Sequence, residues 1–122
     1  MEVINCYDIE AILKELVITK YNITNGIVDV DGDVYIYNKN LDAIPVQFGV
    51  VRGKFLCSNN KLTSLRGSPR EVGGDFWCYR NQLISLHGAP RIVDGNFICT
   101  SNSFTSEPDH SFIKIGGQFK WK

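Results

Sequence analysis

Residues 55–75 read FLCSNNKLTSLRGSPREVGGD, and residues 76–96 read FWCYRNQLISLHGAPRIVDGN. The chain states one unit twice, back to back. Phe55, Phe76 and Phe97 recur every 21 residues, as do Cys57, Cys78 and Cys99, and Asn60, Asn81 and Asn102. Leu62, Leu83 and Phe104 form another column, and Leu65 and Leu86 a fifth. Gly67 and Gly88, Pro69 and Pro90, Val72 and Val93, and Gly74 and Gly95 complete the unit. A period in the twenties marks a solenoid, because each unit can bury its apolar face only against the next.

A degenerate copy precedes these units. Residues 34–54 put Val34 in the Phe column, Ile36 in the Cys column, and Leu41 and Ile44 in the Leu columns. Residues 28–33, VDVDGD, read as the end of a still earlier coil. After the third unit, FKWK places Phe119 and Trp121 in the Phe and Cys columns, with one residue inserted before them.

The step F-x-C has the two-residue period of a strand, so Phe and Cys point the same way. Successive units then stack as a parallel ladder with strands ~4.8 Å apart. The cysteines form an interior column of small core residues. A structural zinc needs four convergent ligands, which a straight ladder does not supply. In-register Cβ atoms also stand farther apart than the ~3.8 Å a disulfide prefers. The asparagines follow the strand, where the chain turns and backbone groups lose sheet partners. A buried amide both donates and accepts, so a stacked Asn column can satisfy them. The alternative is a polar binding ladder. Glycines at 53, 73–74, 95 and 116–117 mark the tight turn into the next strand, and Pro69 and Pro90 stiffen the return side.

The expected fold is mainly β: a short leucine-rich-repeat-like, right-handed solenoid with a parallel β-sheet, capped by an N-terminal α-helix. The 122 residues suit one domain, divided into a helical cap (1–20), the repeat solenoid (27–104) and a C-terminal capping coil (105–122). In the cap, YDIEAILKELVI (7–18) carries Ile9, Ile12, Leu13 and Leu16 on one helical face, with Asp8 as the expected N-cap. That helix is expected to cover the open end of the first coil, the alternative being a partner-binding helix. The third unit departs from the pattern at Glu107-Pro108, as suits an end coil that meets solvent.

The wording V-x-x-x-F-x-C-x-x-N-x-L-x-x-L resembles a leucine-rich repeat with one residue added before the strand. NKLTSLRGSP followed by EVGGDFWC, after VDVDGDVYIYNKNLDAIPVQFGVVRG, is closer still to a group of small proteins common in tailed-bacteriophage genomes. The resemblance covers about residues 22–104. It implies a short solenoid of viral origin acting in the bacterial host cytoplasm. It carries no activity and no catalytic residues to map.

Thirteen basic and thirteen acidic residues leave no net charge, so nothing general draws the chain to nucleic acid or an anionic membrane. No apolar run approaches the ~20 residues of a membrane span. The first residues are acidic and lack a basic n-region, so no signal peptide is expected. A cytoplasmic location with free thiols follows. CxxC, HExxH and P-loop patterns are missing, His87 and His110 stand apart, and neither cofactor nor metal is expected. Asp29, Asp31 and Asp33 alternate on a strand and could share a metal, although a plain turn-strand opening explains them as well. Cys6 near a helix start could be activated, but nothing else accompanies a nucleophile. Catalysis is not expected.

If Phe and Cys face inward, three columns face outward: Asp33, Lys54, Asp75 and Asn96; Tyr35, Leu56, Trp77, Ile98 and Lys120; and Tyr37, Ser58, Tyr79 and Thr100. The expected partner-binding residues are Tyr35, Tyr37, Leu56, Trp77, Tyr79 and Ile98, since exposed apolar patches with Trp and Tyr mark interfaces. The partner would be a host protein, such as a defence factor that is inhibited, or a second copy in a homodimer. Strand propensity alone would also enrich such residues. Arg70 and Arg91 share a column, with Arg66 above His87, and could hold a phosphate, or they form an ordinary solvated face.

Overall fold

The computed structural model describes residues 6–122. The helix α1 (Cys6–Glu15) leads into a hairpin of β1 (Tyr21–Thr24) and β2 (Ile27–Val30). Then come β3 (Val34–Tyr35), β4 (Gln47–Val51), β5 (Phe55–Leu56), β6 (Glu71–Val72), β7 (Phe76–Trp77), β8 (Ile92–Val93), β9 (Phe97–Ile98), β10 (Lys114–Ile115) and β11 (Phe119–Lys120). Each coil contributes two short strands, so the solenoid has two sheets. The parallel ladder expected from F-x-C is the five-stranded sheet β3-β5-β7-β9-β11. The valine column builds a second sheet, β1-β2-β4-β6-β8-β10. Every pairing is parallel except β1 with β2.

The columns are in register. Val34, Phe55, Phe76, Phe97 and Phe119 pair in sequence, coil to coil. Val30, Val51, Val72, Val93 and Ile115 do the same in the second sheet. Between Val72 and Phe76 lies the corner Gly73-Gly74-Asp75, which turns the chain from one sheet to the other. Phe55, Phe76 and Phe97 are completely buried, with ring centroids 5.6 and 5.0 Å apart down the stack. Cys57, Cys78 and Cys99 are also completely buried, as unpaired thiols. Leu62, Leu65, Leu83 and Leu86 close the core from the return side.

The asparagine ladder performs the backbone role. Asn81 Oδ1 accepts from Leu62 N–H at 2.9 Å, and its amide donates to the carbonyls of Cys57, Cys78 and Tyr79. Asn60 and Asn102 repeat the arrangement one coil to either side. Each amide therefore ties two coils together at a bend where the sheet ladder has ended.

The helix differs from expectation at both ends. Asp8 lies in its first turn, so it is not the N-cap; a carboxylate there still favours the helix dipole. The helix stops at Glu15, although the apolar pattern runs on to Ile18. Val17 turns left-handed at φ 59°, Ile18 N–H donates to Leu13 carbonyl, and Val17 N–H donates to Lys14 carbonyl. This is a Schellman end, whose apolar contact seats Ile18 with Leu13 in the core. Ile9 and Leu13 are buried in the same cluster, with Ile12 and Leu16 packed on it. The edge of the second sheet is finished by the hairpin rather than by the helix alone. Its turn, Asn25-Gly26, has φ 51° and 77°, as a type I′ hairpin turn requires. The activated-thiol reading of Cys6 falls outside the described side chains.

Candidate functional site

The F-x-C ladder continues past the labelled strands, since Ile36, Cys57, Cys78 and Cys99 N–H groups each donate to the next coil. Its outer face therefore carries two parallel columns, beginning at Tyr35 and at Tyr37. Tyr35 and Tyr37 stand on one coil, edge to face, with centroids 6.2 Å apart. Two coils further on, Trp77 and Tyr79 stand 6.1 Å apart. Between the pairs lie the smaller Leu56 and Ser58. The result is a cleft of ≈180 Å³ lined by these six residues. Aromatic pairs form the walls, and the aliphatic coil forms the floor.

Exposure along the face is uneven. Tyr35 and Tyr37 are 48% and 50% exposed, whereas Trp77, Tyr79 and Ile98 are half-buried. Leu56, expected at the surface, is only 8% exposed. Its side chain is shorter than those of its register partners Tyr35 and Trp77, which shade it from both sides. Ser58 is buried too, and its hydroxyl accepts from Tyr79 N–H at 3.1 Å. The indole N–H of Trp77 is buried with no hydrogen-bond partner among the described residues. An unmade buried donor costs about 1–3 kcal/mol, so this wall carries unused hydrogen-bonding capacity.

One rim of the face is set by a second polar ladder that the repeat analysis did not identify. Asp33 Oδ1 accepts from Lys54 N–H at 2.7 Å, Asp75 Oδ1 from Asn96 N–H at 2.8 Å, and Asn96 Oδ1 from Gln118 N–H at 2.8 Å. Asp29 does the same for Val50 N–H. Each acceptor reaches its donor across a glycine. A Cβ at Gly53, Gly95, Gly117 or Gly49 would strike Asp33, Asp75, Asn96 or Asp29 Oδ1 respectively. These glycines serve close approach between coils rather than an unusual φ. The recurring pair of Asp or Asn with a glycine 20 or 21 residues later was the available signal.

The hydrogen bond from Lys54 N–H, with one from Tyr35 hydroxyl, holds the Asp33 carboxyl below its ordinary pKa. The 2.8 Å bond to Asp33 in turn raises the Tyr35 phenol. Asp29 and Asp33 are thus occupied as backbone acceptors, and Asp31 lies 3.9 Å from Arg52. No group of three or more His, Cys, Asp or Glu side chains among the described residues is arranged to hold a metal ion. Burial pushes the Cys57 and Cys78 thiols upward, away from the reactive thiolate.

Arg70 and Arg91 stand on adjacent coils, with Arg91 N–H donating to the Arg70 carbonyl at 2.8 Å. Arg70 Nε turns to Glu71 at 3.4 Å. Arg91 lines a separate open cleft with His87, Phe112 and the carboxylate of Asp109. No helix among the described residues is long and apolar enough to cross a membrane. In comparisons with known proteins, the chain matches no family model, no curated protein and no solved structure.

Proposed function

We propose that this chain is a non-catalytic protein-binding module, a phage product that grips a bacterial host protein through the aromatic face of the F-x-C sheet. The observation that carries the reading is the pair of aromatic walls, Tyr35–Tyr37 and Trp77–Tyr79, on either side of Leu56 and Ser58. A cleft of ≈180 Å³ is below the ~300–1,000 Å³ of ordinary small-molecule sites. It suits one or two anchoring side chains, as protein interfaces use them. The viral and host-directed part, including inhibition of a defence factor in the bacterial cytoplasm, rests on the repeat wording alone.

A homodimer through the same face is the competing reading. Association through the last coil is disfavoured by Lys114 and Lys120 on the outermost strands, since charged edges resist strand pairing. Binding of a small anion is weakened by the carboxylates beside these arginines, Glu71 at Arg70 and Asp109 in the cleft that Arg91 lines.

The test is recovery of partners from bacterial lysate by wild type and by Trp77→Ala plus Tyr79→Ala. A partner held by the first and lost by the second supports the interface. Equal recovery by both refutes it. Light scattering at high concentration removes the homodimer reading if the protein stays monomeric.

A further inference from the structure

The aromatic face has a repeat of its own, twice that of the coil. Along the column that starts at Tyr35, the residues are Tyr35, Leu56, Trp77, Ile98 and Lys120, each paired in register with the next. The column beside it runs Tyr37, Ser58, Tyr79, Thr100 and Lys122. Bulky rings therefore alternate with short side chains, coil by coil. The cleft over Leu56 and Ser58 is one low place, or depression, of the face, and the short pair Ile98 and Thr100 beyond the Trp77–Tyr79 wall, half-buried rather than buried, is a shallower second one. Parallel strands lie ~4.8 Å apart, so the depressions are about 9.6 Å apart along the solenoid axis.

That distance selects an occupant. An added β-strand rises ~3.3 Å per residue and presents alternate side chains to one face every ~6.6 Å, out of step with the depressions. An α-helix presents i and i+4 about 6 Å apart, and i and i+7 about 10.5 Å apart, neither as close to the spacing of the depressions as a polyproline-II repeat. A flat ring stacked between two walls needs them about 7–8 Å apart, at van der Waals distance from each; these walls stand about 9.6 Å apart. A polyproline-II segment rises ~3.1 Å per residue with three residues per turn, so i and i+3 fall on one edge ~9.3 Å apart. Its backbone makes no internal hydrogen bonds, and as a preformed, low-entropy helix it docks in aromatic-lined grooves.

Charge at the two ends is complementary. Asp33 lies at the Tyr35 end, and exposed Lys120 and Lys122 lie beyond Ile98 and Thr100. The four coil steps from Asp33 to Lys120 span about 19 Å, which is about six residues of polyproline II.

We propose that this face takes a polyproline-II peptide laid across the coils, with prolines at i and i+3 in the two depressions, a basic residue toward Asp33 and an acidic residue toward Lys120 and Lys122. The inference rests on the protein-binding reading above and narrows it to one class of segment. The Trp77–Tyr79 wall passes between the prolines.

The test titrates acetyl-Lys-Pro-Ala-Ala-Pro-Ala-Glu-amide into the full chain, followed by amide NMR shifts. Two control peptides move the second proline to spacings of two and four. The expected result is shifts centred on residues 56–58, 77–79 and 98–100, with both controls weaker by about tenfold or more. Trp77→Leu plus Tyr79→Ser removes the dividing wall using residue types that these columns already carry at Leu56 and Ser58, so the fold is retained. This variant should lose binding by a similar factor while its unfolding midpoint stays near wild type. Equal binding of all three peptides, shifts elsewhere, or no shifts at millimolar peptide overturns the proposal. A protein partner that the same variant loses, but that the peptide does not displace, overturns the polyproline assignment and leaves the interface standing. A partner that the variant retains removes the interface itself.

Discussion

Asn81→Asp tests whether the asparagine ladder exists to satisfy backbone groups. The change keeps Oδ1, which accepts from Leu62 N–H at 2.9 Å. It removes the amide that donates to the carbonyls of Cys57, Cys78 and Tyr79 at 3.1, 3.2 and 3.4 Å. An ionised carboxylate would set its second oxygen against three carbonyl oxygens at a position only 8% exposed. Desolvation and the carbonyl dipoles both oppose that charge, so the folded-state pKa rises above the unfolded value of about 3.9. Keeping the group protonated at pH 7 costs about 4 kcal/mol, at about 1.4 kcal/mol for each of about three pH units. At pH 5 the same linkage costs about 1.5 kcal/mol. The native state holds the extra proton, so the deficit against wild type grows as pH rises from about 4 and levels off above the raised pKa. Below about pH 4 a residue of about 1 kcal/mol remains, because one O–H replaces two amide donors. Urea unfolding of both proteins from pH 4 to 7 measures this. Asn81→Ala is the companion: it leaves Leu62 N–H without that acceptor and costs about 1–3 kcal/mol at every pH. Wild-type stability of Asn81→Asp at pH 7, or a deficit that does not change with pH, would refute the assignment.

Three further outcomes follow from the packing. Phe76→Ala empties a completely buried site between the Phe55 and Phe97 rings and should cost about 3–5 kcal/mol, against about 0.5 kcal/mol or less for exposed Arg70→Ala; comparable thermal melting of the two would contradict the core. Val17→Gly should stabilise by about 1 kcal/mol in chemical denaturation, because a β-branched residue occupies φ 59° at the helix end and is 79% exposed; a destabilised variant would count against that turn. In a Cys6→Ser background, the three ladder thiols should resist a thiol reagent at pH 8 until denaturant is added, since all three are completely buried; rapid labelling of the native protein would place them elsewhere.

The partition between core and surface was legible because the period is regular. In a parallel ladder without slippage, a residue and its copy 21 positions later must occupy equivalent places in the coil, so repetition of Phe and Cys names the buried columns and repetition of Asn the bend. The second sheet was less legible. Three of its six strands, β6, β8 and β10, are two residues long, too short to show alternation, and Val72 could equally have belonged to the turn. The corner ladder was hidden because Asp33, Lys54, Asp75 and Asn96 do not repeat a residue type, only a relation to a glycine in the next coil.

What the sequence determined by itself was the one-dimensional order: which residues stack on which, coil after coil. Tertiary structure alone decided how deep each lies. Leu56 and Trp77 occupy the same column, yet one is buried and the other half-exposed. Side-chain exposure depends on the size of the neighbours one coil above and below, about 4.8 Å away, and not on the residue's own place in its repeat. That difference in height, between rings and the short side chains beside them, is what turns a flat sheet face into a cleft.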